Sequence, residues 1–135
     1  MTQPKAAVLA QQLLAGLSEG QPADTLAAMF SDDVWFEIPG DVGVLPWIGH
    51  RRGRQAVIDF LSTTHALLEP LSFDVEDIAA SDTRAVIVGE LASRVKATDK
   101  VVETAFAIIL TLSGGRIARF QMLEDSFAVS RAARA

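Results

Sequence analysis

The sequence predicts an α+β fold in which N-terminal helices cover one face of a curled antiparallel sheet. Apolar residues recur at helical spacing through the first half of the chain. The second half changes to runs rich in Val, Ile, Phe and Thr, parted by turn formers. Those runs are 8 to 13 residues long, and right-handed twist makes such strands curl instead of lying flat. A curled sheet plugged by helices encloses a cavity.

The elements follow in order. Ala6, Leu9, Leu13 and Leu17, with Ala10 and Leu14, place a helix from about Pro4 to Ser18, and Gly16 and Gly20 flank its end. Pro22 suits the first turn of a second helix, and Asp24 its positive end. Leu26, Met29 and Phe30 give that helix an apolar face, and Ser31-Asp32-Asp33 stops it. Val34 to Ile38 reads as a short strand closed by Pro39-Gly40, followed by a loop from Gly40 to Gly53. Helical spacing returns from Arg54 to Leu68 through Val57, Phe60, Leu61 and Thr64, and Glu69-Pro70 ends it. Four meander strands then occupy Leu71 to Ile78, Arg84 to Lys96, Lys100 to Leu112 and Arg116 to Asp125. Neither an internal repeat nor a linker interrupts the chain, so residues 1–135 read as one domain.

Composition narrows the chemistry. The chain has no Cys, which removes thiol nucleophiles, disulfides and thiolate metal sites. Two histidines, His50 and His65, cannot make a three-histidine zinc site. There is no Tyr to serve as a neutral acid or oxyanion donor. With 12 Lys+Arg against 17 Asp+Glu, the net charge of −5 argues against nucleic acid as a partner. No apolar run is long enough to span a bilayer, and Met1 to Gly20 lacks a signal-peptide pattern, so the expectation is a cytoplasmic protein without a membrane partner. A small hydrophobic molecule fits better.

Several segments in order resemble one family. Phe30-Ser31-Asp32-Asp33-Val34 enters a strand ending at Pro39-Gly40. Leu45-Pro46-Trp47-Ile48-Gly49 precedes Gly53-Arg54-Gln55-Ala56-Val57 and Phe60, and Gly115 to Phe120 leads to Glu124-Asp125-Ser126. This pattern resembles the SnoaL-like polyketide cyclase group of the nuclear-transport-factor-2-like, ketosteroid-isomerase-like superfamily. The resemblance implies a cone-shaped bent sheet around a long helix, an apolar pocket open at one end, and homodimers paired through the sheet. It implies an activity less firmly, because the superfamily holds isomerases, dehydratases, hydrolases, cyclases and non-catalytic members.

Known mechanisms of that superfamily map poorly onto these residues. By resemblance to ketosteroid isomerases, Ile38 stands at the position of the base. Alternation turns the adjacent Glu37 to the opposite sheet face. By resemblance to epoxide hydrolases, Ser93-Arg94-Val95-Lys96 keeps an arginine but has Lys96 for the acid, and Met122 replaces the final-strand acid. By resemblance to the polyketide cyclases, Glu124 or Asp125 is the acid/base, and spacing does not decide between them.

Phe120, Met122 and Glu124 share a strand face that, by the same resemblance, lines the cavity. Enclosed, Glu124 gains a raised pKa and becomes a usable acid/base; at the rim it is merely solvated. Asp125 is also placed to cap the last segment, Ser126 to Ala135. Arg94 is read either as part of a solvated, ion-paired stripe with Glu90 and Lys96 or as a cation in the pocket that stabilises an enolate. His65 shares a helix stripe with Ile58, Leu61 and Leu68, and is the general-base candidate that needs no resemblance. The triplet Arg51, Arg52 and Arg54 lacks a phosphate-loop context and reads as a solvated loop.

The expected catalytic set is therefore Glu124, Asp125, Arg94 and His65. Phe36, Ile38, Trp47, Phe60, Phe106, Phe120 and Met122 are the expected ligand-binding set. No metal or cofactor is called for. Two functions stand: cofactor-independent proton transfer, cyclisation or water addition on a polyketide- or steroid-like carbonyl compound, or non-catalytic binding or scaffolding by the same fold.

Overall fold

A computed structural model of the chain describes residues 3–40, 42–43 and 45–134. Asp41 and Val44 of the anticipated loop, and Ala135 at the end of the last segment, lie outside the described residues. Four helices and six strands follow one another as α1 (Lys5–Glu19), α2 (Ala23–Ala27), β1 (Phe30–Ile38), β2 (Gly49–Arg52), α3 (Arg54–Leu67), β3 (Leu68–Ala80), β4 (Arg84–Val95), β5 (Val101–Ser113), β6 (Arg116–Glu124) and α4 (Ser126–Ala133). The strands form one curved, open sheet in the order β2-β1-β6-β5-β4-β3.

α1 stops where the sequence anticipates: Gly20 takes a left-handed conformation at φ 70, which glycine adopts without steric cost. Ala6, Ala10 and Leu13 then bury the inner side of α1 against the sheet, together with Leu26 of α2 and Val57 of α3. From the sheet itself, Val34, Phe36, Ile87, Ile108, Leu110 and Ile117 complete the core. All four meander strands form, β3 through β6, with antiparallel registers throughout.

Four details differ from the sequence reading. The second helix ends at Ala27, and Phe30, read as part of its apolar face, instead begins β1, four residues ahead of Val34. The sheet is mixed, because β1 lies parallel to β6, with Phe36 opposite Phe120. A parallel pair needs a long crossover between its strands, and here α3 and the meander supply it. The anticipated loop contains β2, a short polar edge strand antiparallel to β1. β3 starts at Leu68, directly from α3, instead of after Pro70. Proline is tolerated there because β3 is a sheet edge and a bulge follows at the next residue.

Curvature has identifiable sources. Bulges in β3 fall between Pro70 and Ser72 and between Val75 and Asp77, and bulges bend the strand that carries them. Between the two, Gly89 of β4 lets the chains approach closely: a Cβ there would overlap the Asp74 carbonyl oxygen and come within 2.9 Å of the Phe106 ring. Among the described residues, no helix is long and apolar enough to cross a membrane.

Candidate functional site

The concave side of the sheet is not filled by its own side chains. A cavity of about 540 Å³ lies between α1, α3, α4 and strands β3 to β6, within the range of small-molecule sites. Helical spacing brings Leu14, Leu17 and Ser18 of α1 and Phe60, Leu61 and Thr64 of α3 to one side of it. Alternation along β6 brings Met122 and Glu124 to the other, with Leu91 and Ser93 from β4 and Val102 from β5. Trp47 and Val129 also line it. A smaller void of about 120 Å³ adjoins it, walled by Phe30, Phe36 and Phe120. There Phe36 stacks on Phe120 at 4.7 Å between ring centroids and tilts against Phe60 at 5.2 Å.

The open side runs along β3. Leu71, Phe73 and Val75 are 43%, 45% and 38% exposed, far above what core residues of a strand show. Phe73 keeps its place by stacking on Phe106 at 4.7 Å.

Glu124 is the one ionisable side chain among the described residues lining this cavity. Strand alternation turns it inward beside Phe106, its register partner on β5. It has neither a hydrogen-bond nor an ion-pair partner among the described residues. Burial therefore pushes its carboxyl up to about 7, and the negative charge of Asp125 adds to the rise.

Asp125 has another task. Its carboxylate accepts a hydrogen bond from the Ala128 N–H at 2.9 Å, capping α4, and its own N–H donates to Thr104 Oγ1 at 2.9 Å. Ser126 Oγ then donates to the Pro39 carbonyl at 2.6 Å, tying α4 to the end of β1. These contacts hold Val129 over the cavity and commit Asp125 to structure, so it is corrected out of the acid/base set.

Arg94 and His65 are likewise not brought to Glu124. Arg94 lies in phase with Glu90 and Ala92 on the convex side of β4, where its guanidinium pairs with Asp99 at 3.2 Å. Neither Glu103 nor Glu124 is its partner. His65 is exposed and faces a separate cleft of about 450 Å³, shared with Gln21 and Leu26. That cleft shares Leu17, Leu61, Thr64, Leu68, Pro70 and Ser93 with the cavity, but His65 does not line the cavity itself.

Of the apolar candidates, Trp47, Phe60 and Met122 line the main cavity, and Phe36 and Phe120 line the adjoining void. Ile38 is fully buried core, and Phe106 sits under Phe73, so these two support the wall without forming it. Trp35 faces outward and stacks on His50 at 3.7 Å. Glu37 also faces outward, accepting from Gln121 Nε2 at 3.2 Å.

The arginine triplet is consumed by carboxylates. Arg51 pairs with Asp59 at 2.8 Å, Arg52 with Asp33 at 3.6 Å and Arg54 with Asp32 at 2.7 Å. Hydrogen bonds from Gln55 and Arg51 hold the Asp59 carboxyl below its ordinary value. Sequence reasoning missed most of the lining, among it Leu14 and Leu17 of α1, Phe73 of β3, Leu91 and Ser93 of β4 and Val129 of α4. The β4 pair could have been found, because Leu91 and Ser93 are in phase with the buried Ile87 and Val95. No group of three or more His, Asp or Glu placed to hold a metal ion occurs among the described residues.

Comparison with known proteins agrees with this architecture. The family model of the SnoaL-like domain matches residues 10–120. The chain belongs to the SnoaL-like domain family. Among solved structures, this SnoaL-like chain is similar to a nuclear-transport-factor-2-like protein from Burkholderia xenovorans LB400, with 22% identity, 99% of each chain covered and a TM-score of 0.86. It is similar to a candidate isomerase from Rhodopseudomonas palustris at 20% identity, 98% coverage of both chains and a TM-score of 0.78. A candidate polyketide cyclase from Xanthomonas campestris pv. campestris shares 15% identity over 96% of this chain and 97% of its own, with a TM-score of 0.73. At such identities these likenesses speak for the fold. Among curated proteins none matches the chain.

Proposed function

We propose that this SnoaL-like protein binds a small hydrophobic carbonyl compound, polyketide- or steroid-like, in the concave cavity, and that Glu124 exchanges a proton with it. The observation that carries the reading is a lone carboxyl, raised to about 7, in an otherwise uncharged and mostly apolar lining. A group with that proton affinity is partly ionised near neutral pH and can both accept and return a proton. One such group suffices for a proton shift between two carbons of an enolisable ketone. Water addition asks for a second placed acid or base, so isomerisation or enolate-mediated cyclisation is favoured over hydrolysis. Ser93 Oγ and Ser18 Oγ are the neutral donors available to an enolate oxygen, since Thr64 Oγ1 is spent on the Phe60 carbonyl at 2.7 Å.

A binding role without turnover is the second reading, and one observation favours it: Asp125, Arg94 and His65 all face elsewhere. Thermal-shift screening with hydrophobic ketones, epoxides and lactones tests the binding step. A guest at about 100 times its Kd adds about 2.7 kcal/mol of stability. Glu124-dependent exchange of the guest's α-hydrogens with deuterium, followed by NMR, then separates the two readings. If no compound of the panel stabilises the protein, the cavity reading falls.

Pairing of two copies through the convex face belongs to the same proposal. Val86, Val88, Ile109 and Leu123 point outward there, Leu123 being 42% exposed. Arg84 and Arg119 flank that apolar stripe at one end, and Glu90 and Glu103 at the other, so two antiparallel copies would place opposite charges together.

A further inference from the structure

We propose that the cavity selects guests whose apolar body ends in a basic nitrogen, such as arylalkyl or alicyclic amines, with the ammonium held by Glu124. This rests only on the cavity being a binding site, the second reading above, and gives its preferred occupant a basic nitrogen in place of the carbonyl group; it does not depend on turnover.

The Glu124 carboxylate is desolvated yet takes no hydrogen bond or ion pair from the described residues. Every element packed around it contributes neutral groups to the lining: Ser18 from α1, Thr64 from α3, Phe73 from β3, Ser93 from β4, Val102 from β5 and Val129 from α4. The nearest named charge is the carboxylate of Asp125, which repels another anion. Arg94 is paired with Asp99, and Lys96 Nζ donates to the His65 carbonyl at 3.1 Å, so neither cation reaches in.

Three guest chemistries then rank themselves. A carboxylic acid brings a second negative charge to a site without a cation. A ketone or alcohol makes a neutral hydrogen bond. An ammonium supplies the missing counter-charge, and charge-assisted hydrogen bonds are roughly twice as strong as neutral ones. Trp47, Phe60 and Phe73 line the same space, and aromatic faces attract cations further.

The experiment compares phenylbutylamine, phenylbutanol and phenylbutanoate by calorimetric titration of the wild type and Glu124→Gln at about pH 8 and low salt. The expected result is that the wild type binds the amine at least about tenfold tighter than the alcohol, and the acid weakest. In Glu124→Gln the amine should fall to the level of the alcohol. A second readout needs no variant. Repeated at about pH 6 in buffers of different ionisation enthalpy, amine binding should release close to one proton per guest, because the carboxyl must ionise, and almost none at about pH 8.5.

Equal affinity for amine and alcohol in the wild type overturns the selectivity and leaves the cavity reading standing. Tight amine binding that survives Glu124→Gln, or proceeds without proton release at the lower pH, overturns the anchor. Binding of none of the three overturns the cavity reading and this inference with it.

Discussion

Glu124 and Asp125 are chain neighbours whose carboxyl groups have opposite circumstances. Asp125 caps α4 through the Ala128 N–H, whereas Glu124 faces a mostly apolar cavity and has no hydrogen-bond or ion-pair partner among the described residues. One step along the chain, at the point where β6 ends, separates a carboxylate spent on a helix cap from one that lines the cavity.

The first prediction concerns pH. The Glu124 pKa is raised from 4.5 to about 7 on folding. Between those values the folded protein keeps a proton that the unfolded chain has lost, so its stability falls as pH rises through the window and levels off above it. The loss is on the order of 3 kcal/mol. Glu124→Gln should match the wild type at about pH 5, exceed it at about pH 8, and lack that slope. Urea unfolding at several pH values measures it, and equal slopes in both proteins would rule out a buried Glu124 carboxyl.

Asp125→Ala should cost about 1 kcal/mol through the lost cap. It should also lower the Glu124 pKa, since the Asp125 charge helps raise it. Guest binding should persist. A variant folded as well as the wild type yet unable to exchange guest hydrogens would transfer the acid/base role to Asp125.

Gly89→Ala should destabilise by about 1–3 kcal/mol, the usual cost of overpacking. The added methyl group meets the Asp74 carbonyl and the Phe106 ring, and so disturbs the Phe73–Phe106 stack at the cavity mouth. Denaturant unfolding reads the cost, and an unchanged midpoint would mean that β3 does not press on β4 there.

Leu123→Lys should convert dimers to monomers at micromolar concentration, seen as a lower mass in sedimentation. The substitution puts a charge into the apolar stripe, in phase with Arg119 and Gln121 on the convex face, and touches neither core nor cavity. A wild type that already sediments as a monomer would refute pairing through this face.

Much of the site was legible because alternation is a strict rule. It put Phe120, Met122 and Glu124 on one face and Glu37 on the other, and both hold. The same rule places Arg94 with Glu90 and Ala92, away from Ser93, so the solvated alternative described its side chain better than the pocket one. Its partner Asp99 sits in the next turn, though, where strand period says nothing. What stayed hidden depends on contacts between distant segments. The parallel join of β1 to β6 is decided by which free edge β1 meets after the meander is built. The four polar residues of β2 resemble a loop until β1 provides their partners. His65 follows an apolar stripe, but α3 turns directly into β3, and this end of the helix opens onto the second cleft.

β3 has a consequence beyond the cavity it borders. Thirteen residues long, it is the last strand of the sheet, and among the described residues no further strand pairs with its outer side. Such an edge is a template for fibril-like stacking, and Pro70, two bulges and the carboxylates of Glu69, Asp74, Glu76 and Asp77 are the devices that blunt it. Acid removes the charges and leaves only the proline and the bulges, so acidified solutions of this protein should turn cloudy before its helices unfold.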